Sequence, residues 1–197
     1  MNIPYLFPAI LEDNFVQHVE FPGFFSPPEC DALVMLGTAS IRQKATISEN
    51  RLLDPNLRKS KTNWMDVQPH IQWMWNKLAE KVQSINKQHY NFRLAGFSEL
   101  AQFTEYDEEG SHYTWHIDYG AGLCSRRKIS ITIQLTDPSE YEGGNLELFY
   151  GSAPTIISRE KGNTVFFPSY TLHHVTPITR GIRHSLVIWV SGYESYR

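Results

Sequence analysis

The chain has 197 residues, of which 41% are apolar and 13% aromatic, enough to build the hydrophobic core of one domain. Its 18 basic and 21 acidic side chains give a net charge of −3, which provides no global basic field for nucleic acid or an anionic membrane. The sequence has no apolar run of 18 residues and no basic segment ahead of an apolar stretch, so we expect neither a membrane span nor a signal peptide. It has two cysteines, so we expect no disulfide framework and a cytoplasmic protein.

Two helices are predicted in the first half of the chain. The first begins at Ser26, because this serine can act as a cap, two prolines suit the first turn and Glu29 completes a capping box. It is expected to end at Gly37. The second follows Asp66, where an apolar stripe of helical spacing predicts packing on the core: Ile71, Met74, Trp75, Leu78, Val82 and Ile85.

Residues 38–63, between these helices, are polar and rich in turn formers. They include six basic and two acidic side chains, a local excess of four positive charges. Two interpretations stay open at this point. The segment is either a solvated loop or a mobile flap that closes over an acidic or polar substrate.

From residue 94 onward the apolar period changes to two, which is typical of strands. Turns rich in glycine, proline and asparagine separate the predicted strands, which are 98–106, 129–135, 145–150, 164–167 and 183–190. Short strands at this spacing favour a barrel or jelly roll with the helices on the outer face of one sheet. We therefore predict an α+β fold in a single domain over residues 1–197, helical over about 21–90 and strand-rich over about 94–192.

The first candidate for chemistry is His116-Ile117-Asp118. On an extended chain, side chains two residues apart point the same way, so this imidazole and this carboxylate can converge on one metal ion. The tripeptide alone favours the plainer interpretation, a hydrogen-bonded His–Asp pair at the surface.

The segment from Phe167 to Ser185 changes this balance. A strand ends at Pro168, and a loop then delivers a histidine before the final strand begins. Two imidazoles and one carboxylate occupy one face of an octahedral ion and leave three positions open, which is the ligand pattern of non-haem Fe(II) oxygenases. A structural zinc site would be closed instead.

Arg183 and Ser185 share one face of the final strand and supply a receptor for an anion, because a guanidinium fork beside a hydroxyl binds a carboxylate well. A 2-oxo acid fits such a site. Its 1-carboxylate and 2-oxo group would chelate the iron, its far carboxylate would pair with the arginine and the serine, and O2 would take the third open position.

Together these features resemble the Fe(II)/2-oxoglutarate dioxygenases and, among them, the prolyl 4-hydroxylase-like group. Besides the His-x-Asp motif, the distal histidine and the Arg-x-Ser pair, the resemblance rests on Tyr106–Asp118, Lys128–Leu135 and Glu142–Leu146. It extends upstream to about Phe21 and implies a double-stranded β-helix, or jelly-roll, core with the N-terminal helices packed on one sheet. It also implies Fe(2+), 2-oxoglutarate and O2, with ascorbate as a reductant.

The resemblance assigns site residues by position. The iron ligands would be His116, Asp118 and His173. His173 is a better match than His174 because it lies ten residues before Arg183. The cosubstrate would be bound by Arg183, Ser185, Tyr106 and Gln134.

Members of the group most often hydroxylate a prolyl residue of a peptide or protein, and the resemblance implies such a substrate here. A free amino acid or another small metabolite is the alternative. Nucleic-acid demethylation fits less well, because Trp189, expected to face the cavity, stands where that branch carries a second arginine. Collagen-type members carry lysine at the position of Arg183, which moves the likeness toward the other branches. A non-catalytic module that binds a metal or a 2-oxo acid is a further alternative.

Several other polar or aromatic residues have plainer interpretations. His174 is expected to point to solvent, whereas His112 and His184 are expected at the surface or beside a ligand ring that they orient. Arg126-Arg127-Lys128 is expected to be a solvated turn. Four tryptophans are expected to pack in the core or barrel: Trp64, Trp73, Trp75 and Trp115.

Overall fold

The computed structural model describes residues 14–39, 43–44 and 54–196, and the predicted α+β class is confirmed in them. They contain two α-helices, α1 (Pro27–Ala39) and α2 (Gln72–Ile85), and a π-helical turn, Asn86–Tyr90, continues the second. The strands in chain order are β1 (Val19–Phe21), β2 (Gln43–Lys44), β3 (Arg58–Lys59), β4 (Lys61–Met65), β5 (Leu94–Phe97), β6 (Ala101–Tyr106), β7 (His112–His116), β8 (Arg127–Gln134), β9 (Tyr141–Gly143), β10 (Leu146–Phe149), β11 (Pro154–Ile156), β12 (Thr164–Pro168), β13 (Leu172–Val175), β14 (Ile178–Gly181) and β15 (Arg183–Gly192).

The predicted start of α1 is confirmed, and its predicted end is wrong. The carboxylate of Glu29 accepts hydrogen bonds from the backbone N–H and the hydroxyl of Ser26, at 2.7 and 2.9 Å. The helix passes through Gly37 and ends at Ala39. A Cβ at Gly37 would lie 2.2 Å from Cδ2 of Phe103, so glycine is needed here for the close approach of helix and sheet.

The apolar stripe predicted for the second helix is buried along its whole length. With Leu33 of α1, it packs against side chains from one face of the largest sheet, among them Phe103, Ile131, Ile133, Leu186 and Ile188. Each fully buried aliphatic or aromatic side chain contributes about 1.5–3 kcal/mol, so this layer is the main source of stability. Within the described residues, neither helix has the length and apolar character that crossing a bilayer requires.

The strands form two antiparallel sheets that face each other, the predicted jelly-roll core. The eight-stranded sheet has the order β1-β12-β8-β15-β6-β4-β2, with β5 also paired to β15. The five-stranded sheet has the order β11-β10-β13-β7-β3, and β14 pairs with β9 separately. A second apolar cluster lies between the two sheets and includes Tyr106, Leu146, Leu148, Phe167 and Val175.

The predicted strand 98–106 begins later than expected, at Ala101, and residues 98–100 separate it from β5. Phe97 lies opposite Val190 of β15, and Gln102 lies opposite Val187. Phe97 and Gln102 are five residues apart, whereas their partners Val190 and Val187 are three residues apart. The two extra residues interrupt the pairing with β15. After this break β6 pairs with both β15 and β4.

Residues 55–57 of the polar segment form an exposed turn, whereas residues 58–63 are neither a solvated loop nor a flap. β3 pairs with β7 and β4 pairs with β6, so this stretch extends both sheets. Arg58 is only 7% exposed. The rest of the segment between the two helices, 40–42 and 45–53, lies outside the described residues.

Candidate metal and cosubstrate site

A cavity of about 250 Å³ lies between the two sheets. Its walls come from strands far apart in sequence, mainly β6, β8 and β15 on one side and β7 and β13 on the other. Trp189 lines it, as expected, together with all but one of the sequence-predicted site residues: Tyr106, His116, Asp118, His173, Arg183 and Ser185. The exception is Gln134.

The three predicted metal ligands come together at one wall of this cavity. His116 ends β7 and lies opposite His173 of β13, and Asp118 follows β7. One donor atom of each residue lies within 4.8 Å of the other two. Nε2 of His116 is 3.9 Å from Oδ1 of Asp118, and Nε2 of His173 is 3.6 Å from Oδ2. Two imidazoles and one carboxylate fit a ferrous ion with open coordination positions.

Backbone carbonyls orient both imidazole rings. Nδ1 of His116 lies 2.7 Å from the carbonyl oxygen of Thr114, and Nδ1 of His173 lies 2.9 Å from that of Thr171. Because a carbonyl oxygen only accepts hydrogen bonds, each Nδ1 carries the proton and each Nε2 presents its lone pair to the cavity. The ring of Tyr113 stacks on His116 with 3.5 Å between centroids and fixes its plane.

Two hydroxyl groups that the sequence analysis did not single out position the carboxylate of Asp118. The Ser130 hydroxyl donates to Oδ2 at 2.6 Å and lies 3.0 Å from the Ser169 hydroxyl. The backbone N–H of Asp118 also donates to the carbonyl of Ser169, at 3.0 Å. A signal for Ser130 is present in the sequence, because it alternates with buried isoleucines on β8 and so has to face away from the helices.

The protonation states of these residues suit metal ligands. Burial and the neighbouring His173 lower the pKa of His116 to about 3, against the opposing effect of Asp118, so this imidazole is neutral at physiological pH. Burial raises the pKa of Asp118, but the two histidines and Arg127 outweigh it, and the pKa lies below its usual value. The carboxylate is therefore charged.

Arg183 is almost completely buried, with 1% of its surface exposed. Its guanidinium donates to Oε1 of Gln134 at 2.9 Å and to the hydroxyl of Ser185 at 3.4 Å, and it lies 5.2 Å from the centre of the Tyr106 ring. These partners are neutral, and Nε has no hydrogen-bond partner among the described residues. A buried cation in neutral surroundings is costly, so the position fits the carboxylate of a ligand.

Gln134 lies behind Arg183 rather than in the cavity wall, although a direct cosubstrate contact was expected of it. Its amide holds the guanidinium in place. Gly144, before β10, makes room for the same side chain, because a Cβ there would lie 3.0 Å from Cδ of Arg183. The arginine is therefore fixed by its neighbours before any ligand binds.

Arg127 corrects the prediction of a solvated turn. Its Nη2 lies 2.5 Å from Oε2 of Glu99, and its guanidinium lies 3.8 Å from the centre of the Trp189 ring. The reason is that the register against β15 shifts between Ile129 and Arg127, so the alternation of β8 is broken at its first residue and Arg127 lines the cavity instead of following the helix-facing isoleucines. Trp64, expected in the core, is 46% exposed and lines the cavity 6.1 Å from Trp189.

Two further histidines lie outside the cavity. His174, expected to point to solvent, stacks on Trp115 at 3.7 Å and lies 2.8 Å from Glu147, on the outer face of the five-stranded sheet. His184 lies 3.0 Å from Glu105 on the side of the eight-stranded sheet that carries the helices. Neither ring orients a candidate metal ligand.

Comparison with known proteins places these residues in a family. The model of the 2OG-Fe(II) oxygenase superfamily matches residues 101–191, a range that contains all seven predicted site residues. A PKHD-type hydroxylase from Synechococcus sp. (strain CC9902) is 31% identical over 151 residues, which cover 76% of this chain and 61% of the relative. One from Synechococcus sp. (strain CC9605) is 40% identical over 85 residues, covering 43% and 38%. The chain thus spans less than two thirds of these curated relatives.

Solved structures share the fold at low sequence identity. A prolyl hydroxylase from Trichoplax adhaerens, in complex with a hypoxia inducible factor peptide fragment, has a TM-score of 0.75 and 16% identity over 89% of this chain and 83% of its own. A prolyl-4-hydroxylase from Pseudomonas putida has a TM-score of 0.71 and 20% identity over 89% and 92%. The matched sequence range and the hydroxylase relatives agree, and the part of the chain that carries the candidate site, residues 101–191, matches the 2OG-Fe(II) oxygenase superfamily.

Proposed function

We propose that the chain is an Fe(II)- and 2-oxoglutarate-dependent dioxygenase that hydroxylates a prolyl residue of a peptide or protein. The observation that carries the proposal is one cavity that holds both a converging His–Asp–His set and a buried Arg183 whose hydrogen-bond partners in the described part of the chain are neutral. The prolyl hydroxylases among the structural neighbours, one of them bound to a peptide, support this choice of substrate.

In this proposal, Nε2 of His116, Nε2 of His173 and the carboxylate of Asp118 hold Fe(II). Arg183 and Ser185 bind the far carboxylate of 2-oxoglutarate, beside the ring of Tyr106 and with Gln134 as the support of the guanidinium. When bound, Fe(II) and 2-oxoglutarate use O2 to hydroxylate an unactivated C–H bond, with succinate and CO2 as co-products.

The chain's own residues supply orientation and a suitable surface for the substrate. The carbonyls at the two imidazoles and the Ser130 hydroxyl keep the ligand atoms pointed at one place. Apolar side chains of the same cavity, Leu146, Val175 and Val187, offer a surface for a C–H-bearing group. The buried ring of Trp189 and the partly exposed ring of Trp64 also line the cavity and suit an apolar pyrrolidine ring.

The test is turnover of the purified protein with Fe(II), 2-oxoglutarate and O2. We expect succinate to form, and mass spectrometry to detect one added oxygen, about 16 Da, on peptides that contain proline. A protein that binds iron and never consumes 2-oxoglutarate would instead be the non-catalytic binding module. An added oxygen on free amino acids, with none on any peptide, would select the small-metabolite alternative.

Three finer points belong to the same proposal. Residues 1–197 act as one domain, ascorbate serves as a reductant, and the protein works in the cytoplasm. Adding ascorbate is expected to increase the number of turnovers before the enzyme inactivates, and fractionation of cells that express the chain tests its location.

A further inference from the structure

The cavity contains a second buried guanidinium, that of Arg58, which the proposed function does not use. Arg58 lies on β3 with 7% of its surface exposed. Its Nε donates to the Ser60 hydroxyl at 2.9 Å, and its Nη2 donates to Oε1 of Gln102 at 2.8 Å, with the Thr104 hydroxyl at 3.4 Å. All these partners are neutral, and Nη1 makes no hydrogen bond to the part of the chain that the structure describes.

The carboxylates of the cavity are engaged elsewhere. Glu99 pairs with Arg127 at 2.5 Å, and Asp118 lies between the two candidate metal-binding histidines. Within residues 14–39 and 54–196, no carboxylate oxygen lies within ion-pair distance, 4 Å, of the Arg58 guanidinium. Arg58 is thus a buried cation without a counterion in these residues, an arrangement that an anionic ligand relieves.

The charge balance of the cavity with Fe(II) and 2-oxoglutarate bound also indicates an anionic ligand at Arg58. Among the described residues, the charged side chains of its lining are three arginines and two carboxylates, Arg58, Arg127, Arg183, Glu99 and Asp118, which leave one net positive charge. The two positive charges of Fe(II) and the two negative charges of 2-oxoglutarate leave that excess unchanged. Once the other two arginines are paired, the uncompensated charge is that of Arg58.

Arg58 is also separate from the proposed cosubstrate anchor. Along β6 it contacts Gln102 and Thr104, whereas Arg183 lies opposite Tyr106, about 6–7 Å further along the strand from Thr104. The Arg58 guanidinium lies 4.5 Å from the centre of the Tyr113 ring, and that ring stacks on His116. One aromatic ring therefore separates Arg58 from the candidate metal centre, where a substrate has to bind.

We propose that Arg58 forms a second anion subsite, which binds a carboxylate of the substrate next to the metal centre. This inference rests on the proposed function and narrows its substrate to prolyl peptides that carry a carboxylate close to the target ring. An acidic neighbour of the proline and a C-terminal carboxylate offer the same chemistry, and the experiment separates them.

The experiment measures binding of matched peptide pairs to the protein loaded with Mn(II) and 2-oxoglutarate, by calorimetry without turnover. One pair is an acetylated peptide amide with aspartate or asparagine next to its proline. The other ends in a proline carboxylate or in its methylamide. We expect the wild-type protein to bind the acid of at least one pair about tenfold more tightly than its neutral counterpart, because a charge-assisted hydrogen bond is lost in the neutral one.

Variants assign this preference to one side chain. Arg58→Gln is expected to bind acid and neutral peptide alike, and Arg58→Lys is expected to keep part of the preference because the charge remains. Lys59→Gln, on the next residue of the same strand and half exposed beside Glu108, is the matched control and should keep all of it. Thermal midpoints show whether each variant is folded.

Three results would overturn the subsite. The first is that the wild-type protein binds acid and neutral peptide with equal affinity in both pairs. The second is that Arg58→Gln keeps the preference for the acid. The third is that a folded Arg58→Gln loses affinity for the acid and the neutral peptide equally. Failure of the proposed function gives a different signature, which is no succinate from the wild-type protein with Fe(II), 2-oxoglutarate and O2. The binding comparison does not depend on that outcome.

Discussion

The two faces of the eight-stranded sheet differ although they are built from alternate residues of the same strands. The face toward the helices carries fully buried hydrocarbon side chains, for example Ile131 and Ile133 of β8 and Leu186 and Ile188 of β15. The face toward the cavity carries Ser130, Gln134, Arg183 and Ser185, each tied by a directed hydrogen bond. Apolar burial is non-directional and sets stability, whereas directed polar contacts set geometry and therefore chemistry.

The five-stranded sheet shows the same division within one pair of residues. His173 is 6% exposed and faces the cavity, whereas the next residue, His174, faces outward against Trp115 and Glu147. Position on the strand, rather than residue type, separates a candidate metal ligand from a structural histidine. Substitutions on opposite faces should therefore affect different properties of the protein.

The largest contrast is expected between these two histidines. His173→Ala should abolish both Mn(II) binding and consumption of 2-oxoglutarate, because two protein ligands alone do not hold the ion against water. His174→Ala should leave both within a few-fold of wild type. Metal titration followed by electron paramagnetic resonance measures binding, and succinate release measures turnover. Equal losses in the two variants would contradict the separation of the faces.

The next contrast concerns stability on the helix-facing side. Phe103→Ala should lower the free energy of unfolding by about 3–5 kcal/mol, because it removes a fully buried ring that packs on α1 at Gly37. Chemical denaturation measures this loss. At temperatures where the variant is folded, its Mn(II) affinity should match that of wild type. A large loss of metal affinity in the folded variant would show that the two faces are coupled.

The alternation that separates the faces is visible in the sequence, which is why much of the site could be predicted. Ile129, Ile131 and Ile133 alternate with polar residues, and on the final strand Arg183, Ser185 and Trp189 share one face, so the cavity-facing positions follow from a period of two. The three candidate metal ligands follow from spacing and from the family resemblance. Their convergence needed only that the two strands that carry the histidines be neighbours, as they are.

Other features depend on contacts that no local pattern encodes. β3 has two residues, too few for a period, so the burial of Arg58 could not be predicted from the charge of its segment. The break between β5 and β6 follows from their register against β15, and Gly37 is explained only by the ring of Phe103. These features arise when distant segments meet, and single-sequence patterns report only on neighbours along the chain.

A smaller effect is expected from the cosubstrate anchor. Arg183→Ala should raise the KM for 2-oxoglutarate by tens-fold or more, because it removes a charge-assisted pair worth roughly 2–3 kcal/mol. Arg180→Ala is the control, since this arginine lies on β14 and pairs with Glu142 at an exposed site. Steady-state succinate release at varied 2-oxoglutarate measures both. An unchanged KM in the folded Arg183 variant would remove the arginine from the cosubstrate site.

The smallest effect tests the hydroxyl behind the carboxylate. Ser130→Ala should weaken Mn(II) binding about tenfold, because Asp118 loses the donor that fixes one of its oxygens while all three candidate ligands remain. Ser130→Thr, which keeps a hydroxyl, should restore most of the affinity. Ser125→Ala should have no effect, because the hydroxyl of Ser125 bonds to Gly122 and Ser195 rather than to a candidate ligand. A purely structural role of Ser130 would lower the thermal midpoint of the alanine variant without changing its metal affinity. A change in affinity at an unchanged midpoint would place the hydroxyl among the groups that orient the metal site.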